Sequence, residues 1–162
     1  MFTLNDLFDI AIKMEENGRS VYLNALKQTH NREIESLVQW MADEEKRHKS
    51  WFQEQKSRLS TGSRDLDVML PGVIKEMMGD NSLSLSELDF SEITTPVKML
   101  ETFIMFENDT ILFYQFLEAF VESESVKDGL HEIIAEETAH VDKISEMIQS
   151  FKAAGELSMP LT

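Results

Sequence analysis

Apolar residues recur at alternating spacings of three and four along four stretches of the chain, the pattern of a helix with one buried face. The first runs from about Leu4 to Lys27 and aligns Leu4, Phe8, Ala11, Glu15, Gly18, Tyr22 and Ala25. The second runs from about Asn31 to Leu59, through Ile34, Val38, Met41, Glu45, His48 and Phe52. The third starts near Pro96, a favourable first-turn residue, and passes through Leu100, Phe103, Glu107, Thr110, Tyr114, Leu117 and Val121. The fourth runs from about Ser125 to Ala153, through Val126, Leu130, Ile133, Glu137, His140, Ile144, Met147 and Phe151. Short links around Thr29–Asn31 and Glu122–Glu124 make each consecutive pair an antiparallel hairpin. The pattern predicts an all-α chain.

Between Ser60 and Thr95 the composition shifts to Ser, Gly, Asp and Leu, and we read a crossover there with a short helix over Val73 to Met78. So long a link inside a compact domain needs a reason. A four-helix bundle with one long crossover supplies it, because the chain must travel the bundle's length before the third helix begins. The alternative is a flexible linker between two hairpins, neither of which could bury its stripe alone. Residues 1–162 thus read as one domain: hairpin 1 over about 4–59, crossover 60–95, hairpin 2 over about 96–153, and a frayed tail over 154–162.

The hairpins repeat one another. An offset of 92 residues relates Glu15 to Glu107, Tyr22 to Tyr114, Glu45 to Glu137 and His48 to His140. KMEENGRSVY answers MFENDTILFY, and MADEEKRH answers IIAEETAH. Such a repeat predicts halves related by an approximate two-fold axis, with polar residues of the inner stripes meeting in symmetric sets. Height agrees: Glu15 lies about 15 residues before its turn and Glu45 and His48 about 14 to 17 after it, equal levels at ~1.5 Å per residue. Glu107, Glu137 and His140 show the same balance.

Four buried glutamates and two histidines demand compensation, since an unpaired buried carboxylate costs many kcal/mol or protonates. Two divalent cations would cancel four carboxylate charges, with two neutral imidazoles completing the set. In Glu-x-x-His the two donors share a helix face and can reach one metal. Oxygen and imidazole donors with open positions suit iron or manganese better than a closed zinc site. The 15 Lys and Arg against 30 Asp and Glu give a net charge of −15, which disfavours nucleic acid and anionic membranes as partners. Zero cysteines exclude disulfides, thiolate sites and iron–sulfur clusters. No apolar run reaches the roughly 20 residues of a membrane span. The start MFTLNDLFDI lacks a basic leader, so the expected location is cytoplasmic.

One Glu from each of two helices plus Glu-x-x-His from each of the other two is the ligand set of ferritin-like di-metal carboxylate proteins. The sequence resembles the rubrerythrin branch of that superfamily, including a glutamate followed about seven residues later by Tyr. The resemblance covers both hairpins but not the crossover. It implies a ferritin-like four-helix bundle, with Glu15 and Glu107 as terminal ligands, Glu45 and Glu137 as bridging carboxylates, and His48 and His140 as one imidazole per metal. It implies two iron ions, with Fe/Mn or Mn pairs also compatible, and neither haem nor rubredoxin-type iron. Two departures stand out. Rubrerythrins typically carry a further glutamate one turn after the helix-three ligand, where this chain has Thr110. They also often append a cysteine-ligated iron domain, so without cysteine electrons are expected from an external donor protein.

Other residues keep two readings. Tyr22 and Tyr114 either hydrogen-bond ligand carboxylates or act as redox-active groups, or are core aromatics with a satisfied hydroxyl. Glu44 and Glu136 either orient the histidines or face solvent. Glu16, off the stripe, is expected to face water, and His30 and His131 to be ordinary polar residues. The leading expectation is an oxidoreductase reacting with hydrogen peroxide or dioxygen at a di-iron carboxylate centre, in an oxidative-stress role and as a homodimer. The alternatives are a ferroxidase that stores or handles iron, a helical interaction module with structural metals, and substrate hydroxylation or desaturation.

Overall fold

The structure, a computed structural model, describes residues 2–59, 65–66, 92–155 and 160–161. Four helices account for most of them: α1 (Leu4–Gln28), α2 (Arg32–Arg58), α3 (Pro96–Glu118) and α4 (Glu124–Ala153). The first three begin at a residue whose side chain caps the opening turn. Thr3 and Asp6 form a reciprocal capping box, with Thr3 N–H donating to Asp6 at 2.6 Å and Thr3 Oγ1 accepting from Asp6 N–H at 3.3 Å. Asn31 caps α2 by accepting from the N–H groups of Glu33 and Ile34. Thr95 caps α3 ahead of Pro96. These side chains satisfy backbone donors that a helix leaves open at its first turn.

The α1/α2 and α3/α4 pairs are the expected hairpins, packed together as a four-helix bundle. A two-residue antiparallel pairing adds to them, β1 (Phe2–Thr3) against β2 (Asp65–Leu66). The third stripe, expected to stay helical through Val121, stops earlier. The N–H groups of Ala119, Phe120 and Val121 bond three residues back, to Phe116, Leu117 and Glu118, which tightens the last turn. Val121 nonetheless remains buried in the connection. The short helix expected over Val73 to Met78 lies outside the described residues, as does most of the crossover. Among the described residues, no helix is long and apolar enough to cross a membrane.

The apolar interior divides into two bodies. One gathers Tyr22, Ile34, Val38, Met41, Leu100, Phe103 and Ile144. The other gathers Phe8, Met14, Phe52, Phe113, Tyr114, Leu117, Leu130 and Ile133. Residues 15, 45–48, 107 and 137–140 fall between them along every helix. A polar layer crosses the core at mid-height.

Candidate metal centre

All six residues expected from the stripes meet in that layer. Glu15 comes from α1, Glu45 and His48 from α2, Glu107 from α3, and Glu137 and His140 from α4; none is more than 1% exposed. Their donor atoms form two overlapping groups, Glu15–Glu45–His48–Glu137 and Glu45–Glu107–Glu137–His140, each with all atoms within 4.8 Å of one another. Glu45 and Glu137 belong to both.

Both imidazoles turn Nδ1 toward the middle. His48 Nδ1 lies 2.9 Å from Glu137 Oε1 and 3.6 Å from Glu15 Oε2. His140 Nδ1 lies 2.9 Å from Glu137 Oε2 and 3.4 Å from Glu107 Oε1. Glu137 therefore presents one oxygen to each ring. The rings are nearly parallel, 6.3 Å apart with a 29° interplanar angle. The tyrosines reach across the bundle in reciprocal fashion: Tyr22 donates to Glu107 Oε1 and Tyr114 to Glu15 Oε1. Both phenols are also fully buried core members, in an aromatic setting that includes Phe103 and Phe52.

Close packing seals the layer. A Cβ on Gly18 would stand 2.4 Å from Glu45 Oε2 and 2.7 Å from Phe106, so glycine there makes room for the carboxylate. Thr110, at the matching position of α3, is buried and spends its hydroxyl on the Phe106 carbonyl at 3.1 Å. It offers no carboxylate.

The electrostatics of the cluster follow from burial. Burial first, then the charges of Glu137, Glu15 and Glu107, push the Glu45 carboxyl far above its ordinary range. Burial and the Glu137 charge push Glu107 up to about 8, and burial likewise raises Glu15. Glu137 goes the other way: burial opposes its ionisation, but His140 and His48 together outweigh it and hold the group low. Burial also disfavours charged imidazoles, yet Glu137 and Glu15 carry His48 up to about 11. Glu107 and Glu137 carry His140 up to about 10.

The residues fit a pair of divalent cations. Glu15 Oε2, Glu107 Oε2, both oxygens of Glu45 and Glu137, and Nδ1 of each histidine are buried without a hydrogen bond, all on the inner side. Buried polar atoms are rarely left so, and carboxylate and imidazole donors in this number suit two metals.

Residues set aside on sequence grounds lie elsewhere. Glu16 is partly exposed and pairs with Lys49 at 2.8 Å. His30 is exposed at the turn, and His131 is exposed and pairs with Glu118. Of the two glutamates with open readings, Glu136 takes His48 Nε2 at 2.8 Å, whereas Glu44 is bound by Arg47 at 2.7 Å. Sequence reasoning passed over Arg47, which also holds Glu136 at 2.8 Å. The signal was present as a break in the repeat, since the position matching Arg47 is Ala139.

The sequence model of the Rubrerythrin family matches residues 6–76, the first hairpin and part of the segment after it. No curated protein matches the chain. A proposed ferritin-like diiron-carboxylate protein from Thermotoga maritima has a similar structure, with TM-score 0.69 and 22% identity, over 91% of this chain and 95% of that one. A hypothetical protein from Pyrococcus furiosus is similar at TM-score 0.66 and 18% identity, over 91% of this chain and 89% of that one. The chain is thus rubrerythrin-like over residues 6–76 and has the ferritin-like four-helix fold.

Proposed function

We propose that this rubrerythrin-like chain holds two iron ions in its polar layer and reduces hydrogen peroxide or dioxygen there. The observation that carries the reading is the set of buried, inward-facing oxygen and nitrogen atoms that have no hydrogen-bond partner. Glu15 with His48 would hold one ion and Glu107 with His140 the other, Glu45 and Glu137 being shared. Two ferrous ions in this set would supply the two electrons that, with two protons, convert hydrogen peroxide to two water molecules.

The chain's own residues supply position and enclosure. Tyr22 and Tyr114 pin one oxygen each of Glu107 and Glu15, and so fix where these carboxylates stand in the layer. Glu137 keeps an oxygen toward each imidazole, so both sides stay at fixed separation. The two apolar bodies above and below exclude bulk water, which strengthens each charge interaction in the layer. A donor protein would return the two electrons.

Rapid mixing of the anaerobic, ferrous-loaded protein with hydrogen peroxide or with air-saturated buffer tests the reading. The expected result is oxidation of two irons per chain, much faster than ferrous iron in buffer. Oxidation no faster than free iron would overturn it. Uptake of many irons per chain into a hollow shell would replace it with iron storage.

A further inference from the structure

The two halves of the cluster are not equivalent. Under the offset of 92, His48 answers His140 and Glu44 answers Glu136, but Arg47 answers Ala139 and Trp40 answers Glu132. Those two unmatched side chains change what surrounds each imidazole on the side away from the cluster.

His48 donates through Nε2 to Glu136 Oε2 at 2.8 Å, and the other oxygen of Glu136 is held by Arg47 at 2.8 Å. Symmetry would place Glu44 on His140 in the same way. Arg47 instead takes Glu44 at 2.7 Å. His140 Nε2 is left buried with no hydrogen-bond partner among the described residues. Its ring meets the indole of Trp40 edge to face, 4.8 Å between centres, and Lys143 lies 5.1 Å over that indole. A carboxylate on the far nitrogen of a ligating histidine fixes the ring's tautomer and orientation and makes the near nitrogen a better donor. One imidazole has this support; the other has an aromatic wall.

We infer that the metal position built on Glu15 and His48 binds a divalent cation more tightly than the one built on Glu107 and His140. Glu136, tethered by Arg47, is the positioning residue that makes the difference. The inference rests on the two-metal reading above and concerns affinity alone.

Calorimetric titration of the metal-free, full-length protein with Co(II) tests it. Two steps of one ion each are expected, about tenfold or more apart in affinity. Glu136→Gln weakens the first step by about 10–100-fold and leaves the second within about threefold, so the steps merge. Glu44→Gln leaves both steps in place. A single step of two equal ions in the unaltered protein, or an equal loss in both steps for Glu136→Gln, would overturn the inference. Should Glu136→Gln fail to fold, crystals of the unaltered protein grown with one equivalent of Co(II) decide the matter by anomalous scattering. Signal beside His48 alone supports unequal positions, and equal signals refute them. No Co(II) uptake at all would refute the two-metal reading itself.

Discussion

Tyr22, on the first helix, donates its hydroxyl hydrogen to Glu107 on the third, and so ties a carboxylate of the second hairpin to the first. Tyr114 returns the contact to Glu15. In each glutamate Oε1 takes the phenol, whereas Oε2 stays without a hydrogen bond. In Glu15 the free Oε2 is the oxygen facing His48 Nδ1, at 3.6 Å, whereas Glu107 turns its phenol-bound Oε1 to His140 Nδ1, at 3.4 Å.

Removing either hydroxyl leaves a buried oxygen without its donor, which costs about 1–3 kcal/mol. Tyr22→Phe and Tyr114→Phe are each expected to lower the stability of the metal-free protein by that amount in urea unfolding. Similar values for the two variants are expected from their matched environments. No loss in either would mean that the phenols serve only as core.

The metal-free protein should lose stability as pH rises. Glu107, up to about 8, and the histidines, up to about 11 and 10, hold protons in the folded state that the unfolded chain has released. Each extra folded-state proton removes about 1.4 kcal/mol per pH unit, for Glu107 between its ordinary value and about 8, and for the histidines from about 6.5 upward. Glu137 is shifted down and acts with the opposite sign, losing its contribution only in the acid range. Cations displace these protons, so loading should flatten the decline. Urea midpoints between about pH 5 and pH 9, with chelator and with Mn(II), give the comparison.

Two glutamine substitutions should separate the shared carboxylates. Burial and its neighbours push the Glu45 carboxyl far above its ordinary range, so Glu45→Gln should leave metal-free stability near neutral pH unchanged or higher. Glu137 is ionised between two charged imidazoles, and Glu137→Gln should destabilise the metal-free protein by about 3–5 kcal/mol, as when one partner of a buried charge pair is removed. Both should reduce bound metal below two per chain, measured by elemental analysis after loading. Equal stabilities for the two variants would contradict the assigned charge states.

Gly18→Ala offers a packing test. In an exposed helix this change stabilises by about 0.5–1 kcal/mol. Here the new Cβ would meet Glu45 Oε2 at 2.4 Å and Phe106 at 2.7 Å. Net destabilisation of about 1–3 kcal/mol is expected, together with weaker metal uptake because Glu45 must shift. A gain in thermal midpoint would show that the layer has slack at this position.

Much of this was legible in the residues themselves. Glu15, Glu45, Glu107 and Glu137 interrupt apolar stripes, and two matched Glu-x-x-His motifs share one offset, so periodicity alone brings the sextet to one level. Glu16 could be separated from Glu15 because one residue along a helix turns a side chain by roughly 100°. The role of Glu136 stayed open because a half-exposed carboxylate beside a ligand carries no periodic signature; only tertiary contact with His48 and Arg47 assigns it. The early end of the third helix was equally hidden. Val121 keeps to the stripe and stays buried, and the tightened turn that precedes it depends on backbone geometry rather than on a Gly or Pro signal.

The nearest carboxylate to His48 comes from α4, and each tyrosine reaches a glutamate of the opposite hairpin. Neither hairpin alone owns a complete half of the constellation. If they were separate chains, forming the site would be a bimolecular event that fails on dilution. Covalent joining replaces that encounter with a fixed effective concentration, so the centre can form at any abundance of the protein.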